Sequence, residues 1–160
     1  MDKPARVREP RRMSAQPPRI AVRGIILHAN RLLLVNAWPG GVSDLWCAPG
    51  GRAESGASLP DNLVRELHEE TGLSVAVGDP CLVNEFHDPE SGYHQVDVYF
   101  RATITDGALD AGWCDPSGVV DQRRFVTRTE MSGLRFKPDS LPRVAWGEGL
   151  LYDPLEPILR

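Results

Sequence analysis

The chain has 160 residues, 41% hydrophobic and 25% charged, which excludes a fibrous or disordered polymer and fits one soluble domain with a core large enough to support a cleft. Its net charge of −4 hides an asymmetry, with residues 1–19 at +4 and the remainder at −8. An acidic body of that kind repels nucleic acid unless a basic patch or bound cations intervene, so no stable nucleic-acid partner is expected.

Residues 1–18 read as a disordered basic, proline-rich tail and residues 19–160 as a single domain. The tail has no apolar core of the signal-peptide kind. After Pro17-Pro18, the runs Ile20–His28 and Arg31–Ala37 around Ala29-Asn30 predict a strand pair. Trp38–Asp44 is a loop by its glycine and proline content, Leu45–Ala48 a brief strand, and Pro49-Gly50-Gly51 a turn that ends it. A helix is expected from Ser58, with Asp61 at capping-box spacing, Pro60 in the first turn, Gly72 as the stop, and Leu59, Leu63, Val64 and Leu67 as its apolar stripe. Leu73–Val77 and Gln95–Thr105 follow as strands, 107–122 as a loop and Arg123–Val126 as a last strand. Pro138–Trp146 carries the start signals of a short helix. Cys47, Cys81 and Cys114 lack both the pairing of a zinc site and the density of a disulfide scaffold, which points to a reducing cytoplasm. The apolar runs fall far short of the ~20 residues that span a bilayer, so no membrane partner is expected.

The stretch Arg65-Glu66-Leu67-His68-Glu69-Glu70-Thr71-Gly72-Leu73 carries the chemistry. At about 100° per residue, Glu66, Glu69 and Glu70 share one face within a single turn, where like charges repel. Such a face can be mere solvated surface. It can also be a hard-cation site, because Mg²⁺ favours carboxylate oxygens and the glycines before the helix leave backbone groups open to a ligand. His68 reads as a surface residue, imidazole being a poor Mg²⁺ ligand.

With Gly51 ahead of it, this stretch resembles the Nudix box of the Nudix hydrolase superfamily: glycine, five residues, glutamate, seven residues, then Arg-Glu-aliphatic-any-Glu-Glu-any-Gly-aliphatic. Gly51 and Arg65–Leu73 match. Ala57 stands where the first box glutamate is expected, with Glu54 nearby, and Asp115 and Asp121 are candidates for an acidic residue that many members carry in a late loop. The resemblance implies an α/β fold, a Nudix-type α/β/α sandwich whose mixed, curved sheet is flanked by helices. It also implies a Mg²⁺-dependent pyrophosphohydrolase, with Mn²⁺ able to substitute, acting on a small nucleotide: a nucleoside diphosphate linked to a group X. Position by position, Glu66, Glu69, Glu70 and the Gly50 carbonyl would hold the cation, Arg65 would orient the carboxylates, and Glu66 would serve as base.

For X, an ADP-ribose-like nucleotide sugar ranks ahead of a nucleoside triphosphate or a dinucleoside polyphosphate. The cue belongs to the resemblance: Nudix members that cleave ADP-ribose often carry a proline about 16 residues past the box, and Pro89 stands 16 residues past Leu73. Trp38, Phe86, Tyr93 and Trp113 are the aromatic candidates for stacking a base, and Arg23, Arg52 and Arg101 could reach phosphates. The loss of the glutamate at Ala57 supports an alternative, a catalytically weak or inactive module that binds a nucleotide as a sensor. Many relatives are homodimers, so a homodimer is a further expectation.

Overall fold

The computed structural model describes residues 16–160; the expected tail lies outside the described residues as far as residue 15. In chain order the strands and helices are β1 (Arg19–Ile25), β2 (Leu27–His28), β3 (Arg31–Asn36), β4 (Trp46–Cys47), β5 (Gly50–Arg52), α1 (Leu59–Thr71), β6 (Ser74–Asp88), β7 (Tyr93–Asp106), β8 (Arg123–Val126), α2 (Arg128–Met131), α3 (Leu141–Ala145) and β9 (Leu151–Pro157).

The larger sheet is mixed, in the order β5-β1-β7-β6-β9, with β1 parallel to β7 and β6 parallel to β9. Strand β3 centres the smaller one, with β8 along Leu32–Val35 and β2 and β4 paired near its two ends. One core cluster packs Val22, Ile26, Leu33 and Phe100 against Leu63 and Leu67 of α1. A second, with Ile25, Leu82 and Tyr99, packs against Met131 of α2 and Leu141 and Val144 of α3. Helices therefore cover the sheets from two sides, the α/β/α arrangement expected.

Helix α1 forms where the sequence placed it. Ser58 is extended and its Oγ accepts from the Asp61 amide at 3.1 Å, while Gly72 at φ 74° is left-handed and donates to the His68 carbonyl. At Ser58 the capping bond runs one way; a reciprocal box forms instead at α2, where Thr127 and Glu130 exchange bonds. Within the expected stripe, Leu63 and Leu67 are fully buried but Val64 is exposed, because α1 meets the sheet along the line of Leu59, Leu63 and Leu67.

Other expectations need correction. The segment read as a Pro49-Gly50-Gly51 turn enters β5, an edge strand antiparallel to β1. Strand β6 runs on to Asp88, well past Val77, through register shifts between Val77 and Leu82 that absorb Gly78-Asp79-Pro80. Arg123–Val126 is not the last strand: β9 follows it, and its prolines are tolerated because it lies on the sheet edge. The final helix is shortened to Leu141–Ala145, and Ser140 bonds Asp153 rather than capping it. No helix among the described residues is long and apolar enough to cross a membrane.

Candidate active site

The backbone ladder of β5 explains how two carboxylates are positioned. Gly24 bonds Pro49 and Ala53 bonds Ile20 across the β1–β5 pair, so Arg23 and Gly50 fall at a position without ladder bonds. The N–H and C=O of Gly50 consequently turn away from β1. The N–H donates to Glu70 Oε2 at 2.9 Å, and the carbonyl is free of the ladder on the same edge. Gly50 sits at φ 149° with no room for a side chain: a Cβ there would lie 2.0 Å from the Val22 carbonyl oxygen. At Gly51 a Cβ would lie 2.4 Å from Glu66 Oε2. Two consecutive glycines thus let α1 press the carboxylates of Glu70 and Glu66 onto one strand.

The three helix carboxylates are not equivalent. Glu70 is buried, Glu66 half-buried and Glu69 more open. Burial pushes the Glu70 carboxyl up to about 8; Arg23 and the Gly50 amide act in the opposite sense, and the charges of Glu66 and Asp115 add to the rise. Burial also raises Glu66, against the pull of Arg65.

Arg65 is the positive charge around which the remaining carboxylates gather. It lies 3.0 Å from Glu66, 3.4 Å from Glu69 and 3.8 Å from Glu54. Glu54 therefore reaches the box arginine, whereas Ala57 contributes only its carbonyl, which accepts from Asn62. Arg65 draws Glu66 and Glu69 while Gly50 holds Glu70, and the described residues contain no group of three His, Cys, Asp or Glu side chains arranged to hold a metal ion. The donor set is nonetheless that of a hard cation: three carboxylates and a carbonyl free of the ladder, with Glu66 and Glu70 on adjacent glycines.

Asn62 is the residue that sequence reasoning missed. Almost fully buried at 1% exposure, its Oδ1 accepts from the Glu54 amide (2.8 Å) and Arg65 Nη2 (3.0 Å). Its Nδ2 donates to the carbonyls of Glu54, Ala57 and Ser58. It ties the loop before α1 to the box arginine. The signal was available, since Asn62 lies on the buried line of Leu59, Leu63, Glu66, Leu67 and Glu70, where a polar residue needs partners.

Asp115 is buried and bonded to Ser117 and the Val120 amide, close enough to act on Glu70; Asp121 instead accepts from Gly40. Trp113 donates to the Glu69 carbonyl and stacks edge-on to exposed His68, so it anchors the helix end. The other three aromatic candidates, Trp38, Phe86 and Tyr93, converge with Arg23 on one cavity of about 470 Å³. Arg52 lines a separate pocket beside Glu54 and Glu66, and Arg101 lines neither.

The NUDIX domain model matches residues 17–146. An ADP-ribose pyrophosphatase of Methanocaldococcus jannaschii is 33% identical over 95 residues, which cover 59% of this chain and 56% of that protein. The chain spans about half the length of the curated relatives it matches, 46% and 56%. Among solved structures, the mutator MutT protein of Bacillus halodurans superposes with a TM-score of 0.64 at 22% identity, covering 84% of this chain and 86% of that one. A UDP-X diphosphatase superposes with a TM-score of 0.66 at 21% identity, covering 88% of this chain and 68% of that one. These two likenesses speak to the fold. The match across residues 17–146, together with the arginine and glutamates that α1 sets against β5, shows that the chain belongs to the Nudix superfamily.

Proposed function

We propose that the protein is a Mg²⁺-dependent pyrophosphohydrolase, with Mn²⁺ able to substitute, that cleaves the diphosphate of a nucleoside diphosphate linked to a group X. The observation that carries this reading is the setting of Glu66 and Glu70 on consecutive glycines beside Arg65. An ADP-ribose-like nucleotide sugar is favoured over a nucleoside triphosphate or a dinucleoside polyphosphate. Its support is the likeness to an ADP-ribose pyrophosphatase and Pro89, which stands in the β6–β7 turn.

Glu66, Glu69, Glu70 and the Gly50 carbonyl would hold the cation, which when bound neutralises the polyanion and supplies Lewis-acid activation. Glu66 takes the proton of the attacking water. Its half-burial makes it a better proton acceptor than an exposed carboxylate, and Arg65 fixes its orientation. Arg65 is in turn aligned by Asn62 and Glu54. In this reading residues 19–160 form one catalytic domain with residues 1–18 as a tail. The free thiols of Cys47, Cys81 and Cys114 suit a reducing cytoplasm, and the partner is a small nucleotide, with a homodimer as the assembly.

A panel of nucleoside diphosphate derivatives incubated with the protein and Mg²⁺ is expected to release nucleoside monophosphate, and EDTA to abolish release. Undiminished turnover in EDTA would overturn the reading. Ala57 favours a second one, the nucleotide sensor, identified by a rise in melting temperature with nucleotide and Mg²⁺ but no monophosphate released. Gly51→Ala tests the geometry directly. Its Cβ collides with the movable end of Glu66, so turnover should fall by about 10²-fold while the melting temperature hardly changes.

A further inference from the structure

Glu85, His87 and His94 lie on the face of the β6–β7 hairpin turned away from the cavity. Asn84, Phe86 and Asp88 of β6 and Tyr93, Gln95 and Asp97 of β7 line the cavity, so the residues between them point the other way. His87 and His94 are direct cross-strand partners. The His87 carbonyl accepts from Ile158 N–H at 2.8 Å on the β9 side. Its main chain is therefore turned from β7, and the pair is of the kind without ladder bonds, in which the Cα atoms stand only about 4.5 Å apart and the side chains are closest. Glu85, two residues before His87, brings Oε1 to 3.3 Å from His94 Nε2, and the Tyr152 hydroxyl of β9 donates to its other oxygen.

We propose that Glu85, His87 and His94 form a site for a first-row transition cation of the Zn²⁺ class, separate from the carboxylates of α1. Imidazole nitrogens suit Zn²⁺ and its neighbours and are poor ligands for Mg²⁺, whereas the all-oxygen set on α1 has the opposite preference. Two imidazoles and a carboxylate leave the fourth tetrahedral position of Zn²⁺ to water.

The geometry is half prepared. Two donors each about 2.0–2.1 Å from a tetrahedral ion stand about 3.3 Å apart, which is the separation of His94 Nε2 and Glu85 Oε1. The His87 ring, 6.4 Å from that of His94 between centroids, stands off and turns about its side-chain bonds to complete the set, which is why the three do not already close on one point. Electrostatics favour a cation here. Glu54, Glu66 and Glu69 share Arg65, but Glu85 has no lysine or arginine partner among the described residues. The Tyr152 hydroxyl and His94 hold its carboxyl below the ordinary range, so it is charged at neutral pH. Tyr152 also fixes the orientation of that carboxylate from the neighbouring strand, as groups behind metal ligands commonly do. His94 and Glu85 side chains are 31% and 22% exposed, open enough for an ion to enter.

The experiment is calorimetric titration of the full chain with Zn²⁺ in excess Mg²⁺, followed by NMR of the ¹⁵N-labelled imidazole rings. One equivalent of Zn²⁺ is expected to bind, and to shift the ring nitrogens of His87 and His94 while those of His28 and His68 stay in place. His87→Gln and His94→Gln should each weaken binding about tenfold or more, and Tyr152→Phe by a smaller factor. Should a variant fail to fold, the ring shifts of the wild-type chain decide. Zn²⁺ held instead by the α1 carboxylates or by the exposed Cys114 thiol leaves the His87 and His94 rings unshifted and overturns the site. Absence of saturable binding, or undiminished binding in the folded glutamine variants, overturns it as well.

Discussion

Replacing Glu70 with glutamine is expected to lower turnover by about three orders of magnitude, while the variant melts in EDTA-containing buffer at the wild-type temperature or above it. The two halves have separate causes. Glu70 is a buried carboxylate beside the charges of Glu66 and Asp115, only partly compensated by Arg23. With its carboxyl pushed up to about 8 by burial, Glu70 must take up a proton to fold at neutral pH without a cation; glutamine removes that cost, keeps the shape and retains an amide oxygen that can accept from Gly50 N–H. Folding loses nothing of consequence. With Glu70 as the proposed ligand of the cation, catalysis loses a charged ligand, and about 4 kcal/mol of electrostatic stabilisation corresponds to three decades at about 1.4 kcal/mol each. The check is kcat at saturating Mg²⁺ beside thermal melts in EDTA. A variant that retains activity would remove Glu70 from the site, and one that melts many degrees lower would make the carboxylate a structural anchor.

Asn62→Ala is the complementary case, with a large effect on stability as well as on rate. Alanine at this nearly inaccessible position deletes the hydrogen bonds to Glu54, Ala57, Ser58 and Arg65 together. Buried groups left unsatisfied cost about 1–3 kcal/mol each where water cannot reach them. The loop before α1 is exposed enough to recover part of that, so a net loss of about 2–4 kcal/mol is expected, or roughly 5–15 °C in melting temperature. Released from Asn62 Oδ1, Arg65 no longer holds Glu66 in one orientation, and turnover should drop by about 10²-fold. Asn62→Asp separates the contributions: it keeps the acceptor for Arg65 and loses the donors to the loop, so it should recover rate more than stability. Equal rates in the alanine and aspartate variants would show that Asn62 acts on the loop alone.

These two residues mark how far the site could be read from the sequence. Glu70 was legible because the spacing of Glu66, Glu69 and Glu70 is a property of one helix turn, and the Ser58 and Gly72 caps fix where that helix begins and ends. Asn62 obeys the same periodicity but was hidden, because the stripe was traced through apolar residues only. Glu54 was legible as an acid near Ala57, yet its reach to Arg65 depends on the path of the loop, which Asn62 sets. Gly50 was expected to offer its carbonyl. That its amide would hold Glu70 follows only from the β1–β5 ladder.

The sequence by itself determined α1, its caps, the face on which its carboxylates stand and the family, because each rests on contacts within a few residues. The tertiary structure alone decided the cavity. In β7, Gln95 and Asp97 alternate with Val96 and Val98, a pattern that ordinarily sends the polar residues to solvent. Here α1 covers one face, while the loop after β3 and residues 156–160 close over the other, so both sets are shielded and Gln95 and Asp97 are the more deeply buried. The continuation of β6 beyond Val77 and the whole of β9 were missed for a related reason. Their prolines and charges are locally unfavourable to a strand, and pairing with β7 and β6 across long sequence separations overrides that preference.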